Sequence, residues 1–194
     1  LVVTLAGTVL GPKRTVTLGY MNNLAGSYFD AGRPAEALKL QEEVVTLRRE
    51  ILGSEHNDTV NAMDMLASAH TRVGHTDQAL EVRRELLKTL EKKKGPKNPD
   101  TLEAMNALGF ALADAGRRDD ALGLQERVLA LSREVHGPEH PNTLWVMVGL
   151  ASGYRENGQL DQAIKLGESG LELFRKVAGP EHPDTLNAMT ELAI

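Results

Sequence analysis

The sequence predicts an all-α fold in which pairs of antiparallel helices stack into a solenoid. One motif recurs, as GPEHPDTL at Gly179, GPEHPNTL at Gly137, GPKNPDTL at Gly95, GSEHNDTV at Gly53 and a degenerate GPKRTVTL at Gly11. Its threonine returns every 42 residues, at Thr17, Thr59, Thr101, Thr143 and Thr185. A fixed period of about 20 to 50 residues is typical of solenoids and repeat arrays. A helical apolar stripe and the placement of the prolines support this prediction.

Each repeat opens with the pattern of an amphipathic helix. Apolar residues lie one, four and seven positions after the threonine, as Leu102, Met105 and Leu108 do in one copy, which is the spacing of one helical face. A small residue at position eight, Gly109 in that copy, lets a second helix approach closely. The glycine at position fifteen, Gly116, suits the left-handed conformation that ends a helix.

A second amphipathic helix follows that glycine in every copy, for example from Ala121 to beyond Leu129. The prolines test both helices, because a proline inside a helix costs about 3 kcal/mol. Seven of the eight lie in the linker motifs, and Pro34 follows Gly32, where the first turn of a helix accepts proline. Since one helix pair cannot bury its apolar faces alone, the pairs must stack.

Composition excludes several classes of protein. The 194 residues carry 22 basic and 27 acidic side chains, and the one basic tract, Lys92-Lys93-Lys94, falls where it complements a helix C-terminus. Nothing therefore indicates a nucleic acid or an anionic membrane as partner. The chain has no cysteine, which excludes a disulfide scaffold and is compatible with a reducing or an oxidising compartment. The apolar start, residues 1–10, is shorter than the roughly 20 residues that span a bilayer.

The repeats resemble those of the tetratricopeptide repeat (TPR) family. Two stretches carry the family spacing: Leu24-Ala25-x-x-Tyr28-x-x-x-Gly32-x-x-x-x-Ala37 and Leu150-Ala151-x-x-Tyr154-x-x-x-Gly158-x-x-x-x-Ala163. The 42-residue period and the GPEHPDT linker are similar to the kinesin light chain subclass, also called nephrocystin-3-like. The resemblance implies a TPR α-α superhelix, a right-handed solenoid of antiparallel helix pairs.

The sequence also departs from the family pattern. Methionine stands where the family often has tryptophan, at Met21, Met63, Met105 and Met147. His70 and Leu112 replace the tyrosine of the other copies. HEAT repeats, which also place two helices in about 40 to 47 residues, are the structural alternative.

The repeat register divides residues 1–194 into a single array with an incomplete repeat at each end. Residues 1–15 are expected to be the tail of a truncated repeat and its linker, because residues 2–5 match residues 44–47. Residues 184–194 start a further repeat. The full repeats cover residues 16–57, 58–99, 100–141 and 142–183. We expect a fragment of a longer array whose open apolar ends can self-associate.

The histidine of the linker motif raises the question of a metal or acid–base site. Zinc needs about three or four ligands that converge within roughly 2.3 Å, whereas each linker offers one histidine and Asn98 replaces it in one copy. We therefore expect the histidine to pack or hydrogen-bond within its linker. The helix caps are expected to be Asp58, Asp100, Asn142 and Asp184. No metal, cofactor or catalytic motif is predicted.

Recognition in a groove is the remaining function. In the family that the sequence resembles, the first helix of each pair lines the concave surface, at positions two, five, nine, twelve and thirteen after the threonine. Positions that vary among the copies can carry specificity there. The predicted groove residues are Asn22, Asn61, Asp64, Arg72, Asn106, Phe110, Trp145 and Arg155.

Trp145 is the strongest of these candidates. It is the only tryptophan, and Gly19 and Glu103 at the same register show that the fold does not need a large apolar group there. Tryptophan is also frequent among the residues that dominate binding interfaces. The alternative is that Trp145 packs on its own linker near Pro141. Phe110 is expected either to share a patch with Trp145 or to pack between repeats.

The other candidates are polar. The resemblance implies that Asn22, Asn61 and Asn106 hydrogen-bond an extended peptide backbone, and the alternative is a solvated polar face. Kinesin light chain grooves bind acidic peptides that contain tryptophan, which requires clustered positive charge. The groove register here combines two arginines with five carboxylates, Asp30, Asp64, Glu103, Asp114 and Glu156. That ligand class is not favoured.

The sequence thus predicts a non-catalytic, cytoplasmic interaction scaffold that binds a peptide or a partner domain in its concave groove. Its partners are expected to be proteins or peptides rather than nucleic acids or membranes. The alternative is a regulatory or oligomerisation segment of a larger signalling protein, such as a kinase or a nucleotide-binding switch.

Overall fold

The computed structural model describes residues 15–192, and every regular element in that range is an α-helix. The all-α prediction is therefore confirmed. The helices are α1 (Thr15–Asp30), α2 (Pro34–Leu52), α3 (Asn57–Arg72), α4 (Thr76–Lys94), α5 (Pro99–Asp114), α6 (Arg118–Val135), α7 (Pro141–Glu156), α8 (Leu160–Val177) and α9 (Pro183–Leu192). The predicted tail of a truncated repeat lies, apart from Thr15, outside the described residues.

The chain divides into two compact units, one ending at Lys93 and the other starting at Lys94. In the first unit, α2 packs against α1 and α3. In the second unit, α6 packs against α5 and α7, and α8 packs against α7 and α9. Each of these second helices therefore contacts the first helix of its own pair and that of the next pair, which is how stacked pairs bury their apolar faces.

The core of both units consists of the apolar stripe that the repeats share. Met63 and Met105 have no exposed surface, and Met147 is buried in the same way. The matching positions of α9 differ: Leu186 is 50% exposed and Met189 is 42% exposed. Residues 15–192 do not include the second helix of the pair that α9 begins, so this part of the stripe remains at the surface.

Two motif threonines of the second unit, Thr143 and Thr185, bond to backbone that precedes their own helix, whereas the buried Oγ1 atom of Thr101 has no partner among the described residues. Thr143 is buried, and its hydroxyl donates a hydrogen bond to the Ser132 carbonyl at 3.2 Å. Thr185 is also buried and donates to the carbonyl of Gly179 at 2.7 Å. The threonine period therefore marks the points where one repeat is joined to the next.

Left-handed glycines end the first helices, as the spacing predicts. Gly116 and Gly158 have φ angles of 74° and 75°, a region that costs other residues a steric penalty. After α5 the Gly116 N–H donates to the Ala113 carbonyl at 2.9 Å and the Arg117 N–H donates to the Leu112 carbonyl at 2.8 Å. This pair of bonds is the Schellman motif, which satisfies the last carbonyls of a helix.

The lysine run at the end of α4 contacts side chains of a linker and of the first turns of two helices. Lys92 pairs with Glu55 at 2.5 Å, and Lys93 donates to the Asn57 side-chain oxygen at 2.7 Å. Lys94 pairs with Asp100. These contacts agree with the structural role predicted for the run.

The residue that caps the first helices is the linker histidine, and the predicted caps Asp58, Asp100, Asn142 and Asp184 are wrong. His140 has extended backbone angles of −71° and 138°, and its Nδ1 accepts the Asn142 N–H at 3.1 Å. The helix starts at Pro141, because proline is well tolerated at the first helical position. Asn142 and its three counterparts therefore lie in the first turn and donate to the cap.

The same geometry explains why asparagine can replace the histidine. The side chain of Asn98 accepts the Asp100 N–H at 3.0 Å, and His56 and His182 accept the corresponding N–H groups at 3.1 and 3.2 Å. An amide oxygen and an unprotonated imidazole nitrogen are both acceptors of the required reach. The prediction that the histidine hydrogen-bonds within its linker is confirmed.

We expect His140→Ala to lower the free energy of unfolding by about 1 kcal/mol, because the first turn of α7 loses its acceptor. His140→Asn should keep most of that stability, since asparagine performs the same task at position 98. Denaturant titrations of both variants measure the difference. Equal losses in the two variants would show that the cap is not what the histidine provides.

Candidate functional site

A cleft with two connected chambers lies in the second unit, with walls from α5 and α7 and a floor from α6. The first chamber has a volume of about 620 Å³ and includes Asn106, Asn142 and Val146 in its lining. The second has a volume of about 480 Å³ and includes Leu122 and Ser152. Both chambers share Phe110, Gln125, Trp145 and Gly149. We call this feature the aromatic cleft.

The groove register predicted from the sequence describes most of the cleft walls. On α5 the five register positions all line it: Glu103, Asn106, Phe110, Ala113 and Asp114. On α7 four of the five do so: Trp145, Val148, Ser152 and Glu156. The structure thus brings together three of the predicted site residues, Asn106, Phe110 and Trp145. Their part in binding remains a prediction.

The two aromatic side chains of the cleft have different surroundings. Trp145 is half-buried, and its ring meets Phe174 of α8 edge-on, with a centroid separation of 5.3 Å and an interplanar angle of 66°. Such edge-to-face pairs are favourable beyond their buried area. Phe110 is 57% exposed. The Trp145 ring is therefore held in place by a core residue, whereas the exposed Phe110 ring can cover a bound group.

Gln125, on the cleft floor, was missed by the sequence analysis. Its side chain is 8% exposed, lines both chambers and forms no hydrogen bond with any described residue. A side-chain amide of so deeply buried a residue usually has a hydrogen-bond partner within the protein. The cleft floor therefore offers an unused donor and an unused acceptor.

Gly153 makes room for Gln125, whereas a Cβ atom at Gly109 would meet it at an ordinary contact distance. A Cβ atom at Gly153 would lie 2.8 Å from the Gln125 Oε1 atom, and one at Gly109 would lie 3.5 Å from its Cγ atom. The other described repeats carry alanine at the register of Gly109, and serine or alanine at that of Gly153. These two departures from the repeat pattern are the sequence signal that could have identified Gln125 as part of the cleft floor.

Acidic side chains dominate the charge of the aromatic cleft. Glu103 lines the first chamber, and Asp114, Glu156 and Glu191 line the second. Within residues 15–192, none of these four carboxylates forms an ion pair. Arg118 is the one arginine or lysine among the lining residues. The cleft therefore presents a negative field to an incoming ligand.

Arg155, at the remaining register position of α7, does not line the aromatic cleft. Its Nη1 donates to the carbonyls of Glu191 and Leu192 at 3.3 and 3.2 Å. It lines instead a smaller pocket of about 210 Å³ beside Leu160 and Ile164. The guanidinium thus binds backbone carbonyls of α9.

The four predicted site residues of the first unit have different surroundings. Asn22 is half-buried and its Oδ1 has no partner among the described residues, while Asn61 is exposed. Asp64 accepts a long contact of 3.5 Å from Arg83. The Arg72 guanidinium lies 4.6 Å from the centroid of the Phe29 ring, which is a cation–π distance.

Two buried residues outside the cleft have shifted pKa values. Burial raises the pKa of Tyr154 to about 12, and the hydrogen bond that its hydroxyl donates to Glu126 at 2.6 Å adds to this. Burial lowers the pKa of His70, with Glu42 opposing and His75 reinforcing the change. Neither residue lines the aromatic cleft, so these shifts belong to the packing of the repeats.

The described part of the chain shows neither a metal-binding cluster nor a membrane-spanning helix. Among residues 15–192, no three histidine, aspartate or glutamate side chains come together as a metal site would require. None of the helices α1 to α9 has the length and apolarity to cross a membrane.

Known proteins share both the sequence pattern and the fold. Residues 17–92, 100–176 and 148–194 match the family described as tetratricopeptide repeat. The structure is similar to the kinesin light chain nearly identical TPR-like repeats of Podosopora anserina, with 30% identity, 91% of this chain and 83% of that chain covered, and a TM-score of 0.78. The search of curated proteins gave no match.

More distant structures share the fold alone. BtubC (BKLC) from P. vanneervenii is 20% identical, with 86% of this chain and 66% of that chain covered and a TM-score of 0.71. A Rap protein complexed with Competence and Sporulation Factor is 15% identical, with 90% and 51% covered and a TM-score of 0.61.

Proposed function

The chain belongs to the tetratricopeptide repeat family, and we propose that it is a non-catalytic scaffold that binds a peptide or a partner domain in the aromatic cleft. Repeats of this family generally mediate protein–protein interactions. The Rap protein of similar fold, which was determined in a complex, supports the idea that such an array can hold a partner. A cytoplasmic location, and a protein rather than a nucleic acid as partner, are parts of the same proposal.

The observation that carries this proposal is the exposed aromatic surface of the cleft. Phe110 leaves more than half of its surface in solvent and faces the same two chambers as Trp145. Neither position needs an aromatic residue for the fold, since Gly26 and Ser68 occupy the register of Phe110 in the first unit. Exposed aromatic side chains in a concave site are typical anchors for a protein ligand.

The experiment is a selection of short random peptides on the wild-type chain, followed by measurement of their affinities by fluorescence polarisation. We expect Phe110→Ala to weaken the selected peptides by about tenfold, which corresponds to about 1.4 kcal/mol. Tyr20→Ala is the control, because Tyr20 is an exposed aromatic residue of the first unit. Equal affinities for the two variants, or a selection that yields no peptide, would refute the proposal.

The exposed apolar stripe of α9 favours a second candidate, a regulatory or oligomerisation segment of a larger signalling protein. Leu186 and Met189 occupy register positions that are core elsewhere, and Ile164 of α8 is also exposed. Contact with another copy would remove this apolar surface from water. Sedimentation at two protein concentrations tests it, and a constant sedimentation coefficient would count against self-association.

A further inference from the structure

We propose that the aromatic cleft selects basic peptides in an extended conformation. Specifically, a lysine or arginine lies among the carboxylates of the second chamber, next to an apolar residue against Phe110 and Trp145, while the Gln125 amide hydrogen-bonds the peptide backbone. The inference rests on the proposed function of the cleft. It adds the chemical class of the partner and names a residue that hydrogen-bonds the backbone of the peptide.

The charge of the cleft supports a cationic ligand. Asp114, Glu156 and Glu191 surround the second chamber with a single opposing cation, Arg118. Elsewhere in the chain, exposed carboxylates such as Glu85 and Asp120 are engaged by arginines at 2.7 and 2.6 Å. The carboxylates of the cleft have no such partner among the described residues, so a ligand cation would not have to displace one. Complementary charge of this kind selects the partner and accelerates its association.

The aromatic wall reinforces that preference. Trp145 lines the same chamber as the three carboxylates, and tryptophan is the ring that attracts a lysine or arginine most strongly. The methylene groups of those side chains can also lie along Phe110 while their charged ends remain near the carboxylates. The same carboxylates would repel an acidic peptide.

Gln125 is the independent observation that points to a ligand. Gln125 is more than nine-tenths buried as a residue, its side chain lines both chambers, and it forms no hydrogen bond within the described chain. One side-chain amide supplies an acceptor oxygen and two donor hydrogens, which match the N–H and the C=O of an extended peptide. Because every peptide has these groups, Gln125 fixes the ligand backbone and leaves the sequence preference to the chamber walls.

The first unit provides an internal comparison. Gln41 occupies the same register as Gln125, but its neighbours by register are Ala25 and Ala69 in place of Gly109 and Gly153. Gln41 is almost fully buried, and its Oε1 is also without a partner. The difference is access: only Gln125 of the two lines the aromatic cleft.

The test of the charge preference uses three labelled peptides of equal length, which place two lysines, two glutamines or two glutamates beside one leucine. We expect the lysine peptide to bind the wild-type chain at least tenfold more tightly than the glutamate peptide, with a preference that weakens as salt is added. Asp114→Asn combined with Glu156→Gln should abolish the preference. Asp161→Asn combined with Glu168→Gln, which removes the same charge from exposed positions of α8, should preserve it.

The outcomes separate this inference from the proposed function. If the glutamine or glutamate peptide binds as tightly as the lysine peptide, and Phe110→Ala weakens them all, the cleft binds peptides and the basic preference is wrong. If none of the three binds, the basic preference is also wrong, and the random selection decides independently whether the cleft binds peptides.

The role of Gln125 is tested with Gln125→Met, which keeps the length of the side chain and removes its hydrogen bonds. We expect all three peptides to weaken by a similar factor, about tenfold, while the thermal unfolding midpoint is retained or rises because no unpaired amide remains buried. Peptides N-methylated at the residue beside the leucine should lose affinity for the wild-type chain and not for Gln125→Met. Unchanged affinities in the variant would overturn the assignment.

Discussion

Replacing Phe174 by alanine is expected to lower the free energy of unfolding by about 3 to 5 kcal/mol, the range for removing a buried aromatic side chain. Phe174 is 2% exposed in the core of the second unit and packs edge-on against Trp145. The substitution removes the buried surface of the Phe174 ring and also the contact that supports the Trp145 ring. Denaturant unfolding followed by tryptophan fluorescence measures the change, because Trp145 is the only tryptophan in the chain.

The matched control for this change is Phe110→Ala in the same unit. Phe110 is 57% exposed, and surface substitutions of this kind usually stay within about 0.5 kcal/mol. The two phenylalanine variants should therefore separate stability from binding: Phe174→Ala is expected to affect both, and Phe110→Ala only binding. Similar losses of stability in the two variants would contradict the placement of Phe174 in the core.

In the first unit, Met63→Ala is expected to cost about 2 to 5 kcal/mol of unfolding free energy. Met63 has no exposed surface and stands at a register of the apolar stripe that is also buried at Met105 and Met147. Because an alanine leaves a cavity that the neighbouring helices fill only in part, the loss exceeds the transfer free energy of the side chain. Thermal or denaturant unfolding measures it.

Met65 offers the control, since it has the same side chain on the same helix, α3, and is 38% exposed. Met65→Ala should change the free energy of unfolding by less than about 1 kcal/mol. Should Met65→Ala prove as costly as Met63→Ala, the apolar stripe would have been assigned to the wrong face of α3.

The fold could be predicted from the sequence because the copies act as an alignment of the chain with itself. Residues that recur at a fixed spacing, such as Met63 and Met105, had to serve what every repeat shares, which is packing. The groove register followed from the family that the repeats resemble, and in the second unit it led to Phe110 and Trp145. The helix starts were misplaced because aspartate is a common cap, while the decisive feature was the extended histidine before the first turn.

The rest of the site depends on contacts that no single repeat contains. Arg155 was predicted to face the groove, but a long side chain takes the acceptors within its reach, and the carbonyls at the end of α9 are among them. Gln125 lies on a second helix, at a register that is buried in the first unit too. It opens to the cleft beside Gly153, where a Cβ atom would lie 2.8 Å from the Gln125 Oε1 atom.

The linker caps have a consequence for how such an array can vary. Because His140 and Asn98 satisfy the same N–H from the same backbone geometry, a linker can exchange one for the other without shifting the start of the helix that follows. The two cap residues are thus interchangeable at the start of a helix. Substitutions can accumulate on the cleft walls while the spacing of the repeats stays constant. The histidine that resembled a reactive group accepts, through its Nδ1 atom, the backbone N–H two residues further along the chain, and so helps to fix where the next helix starts.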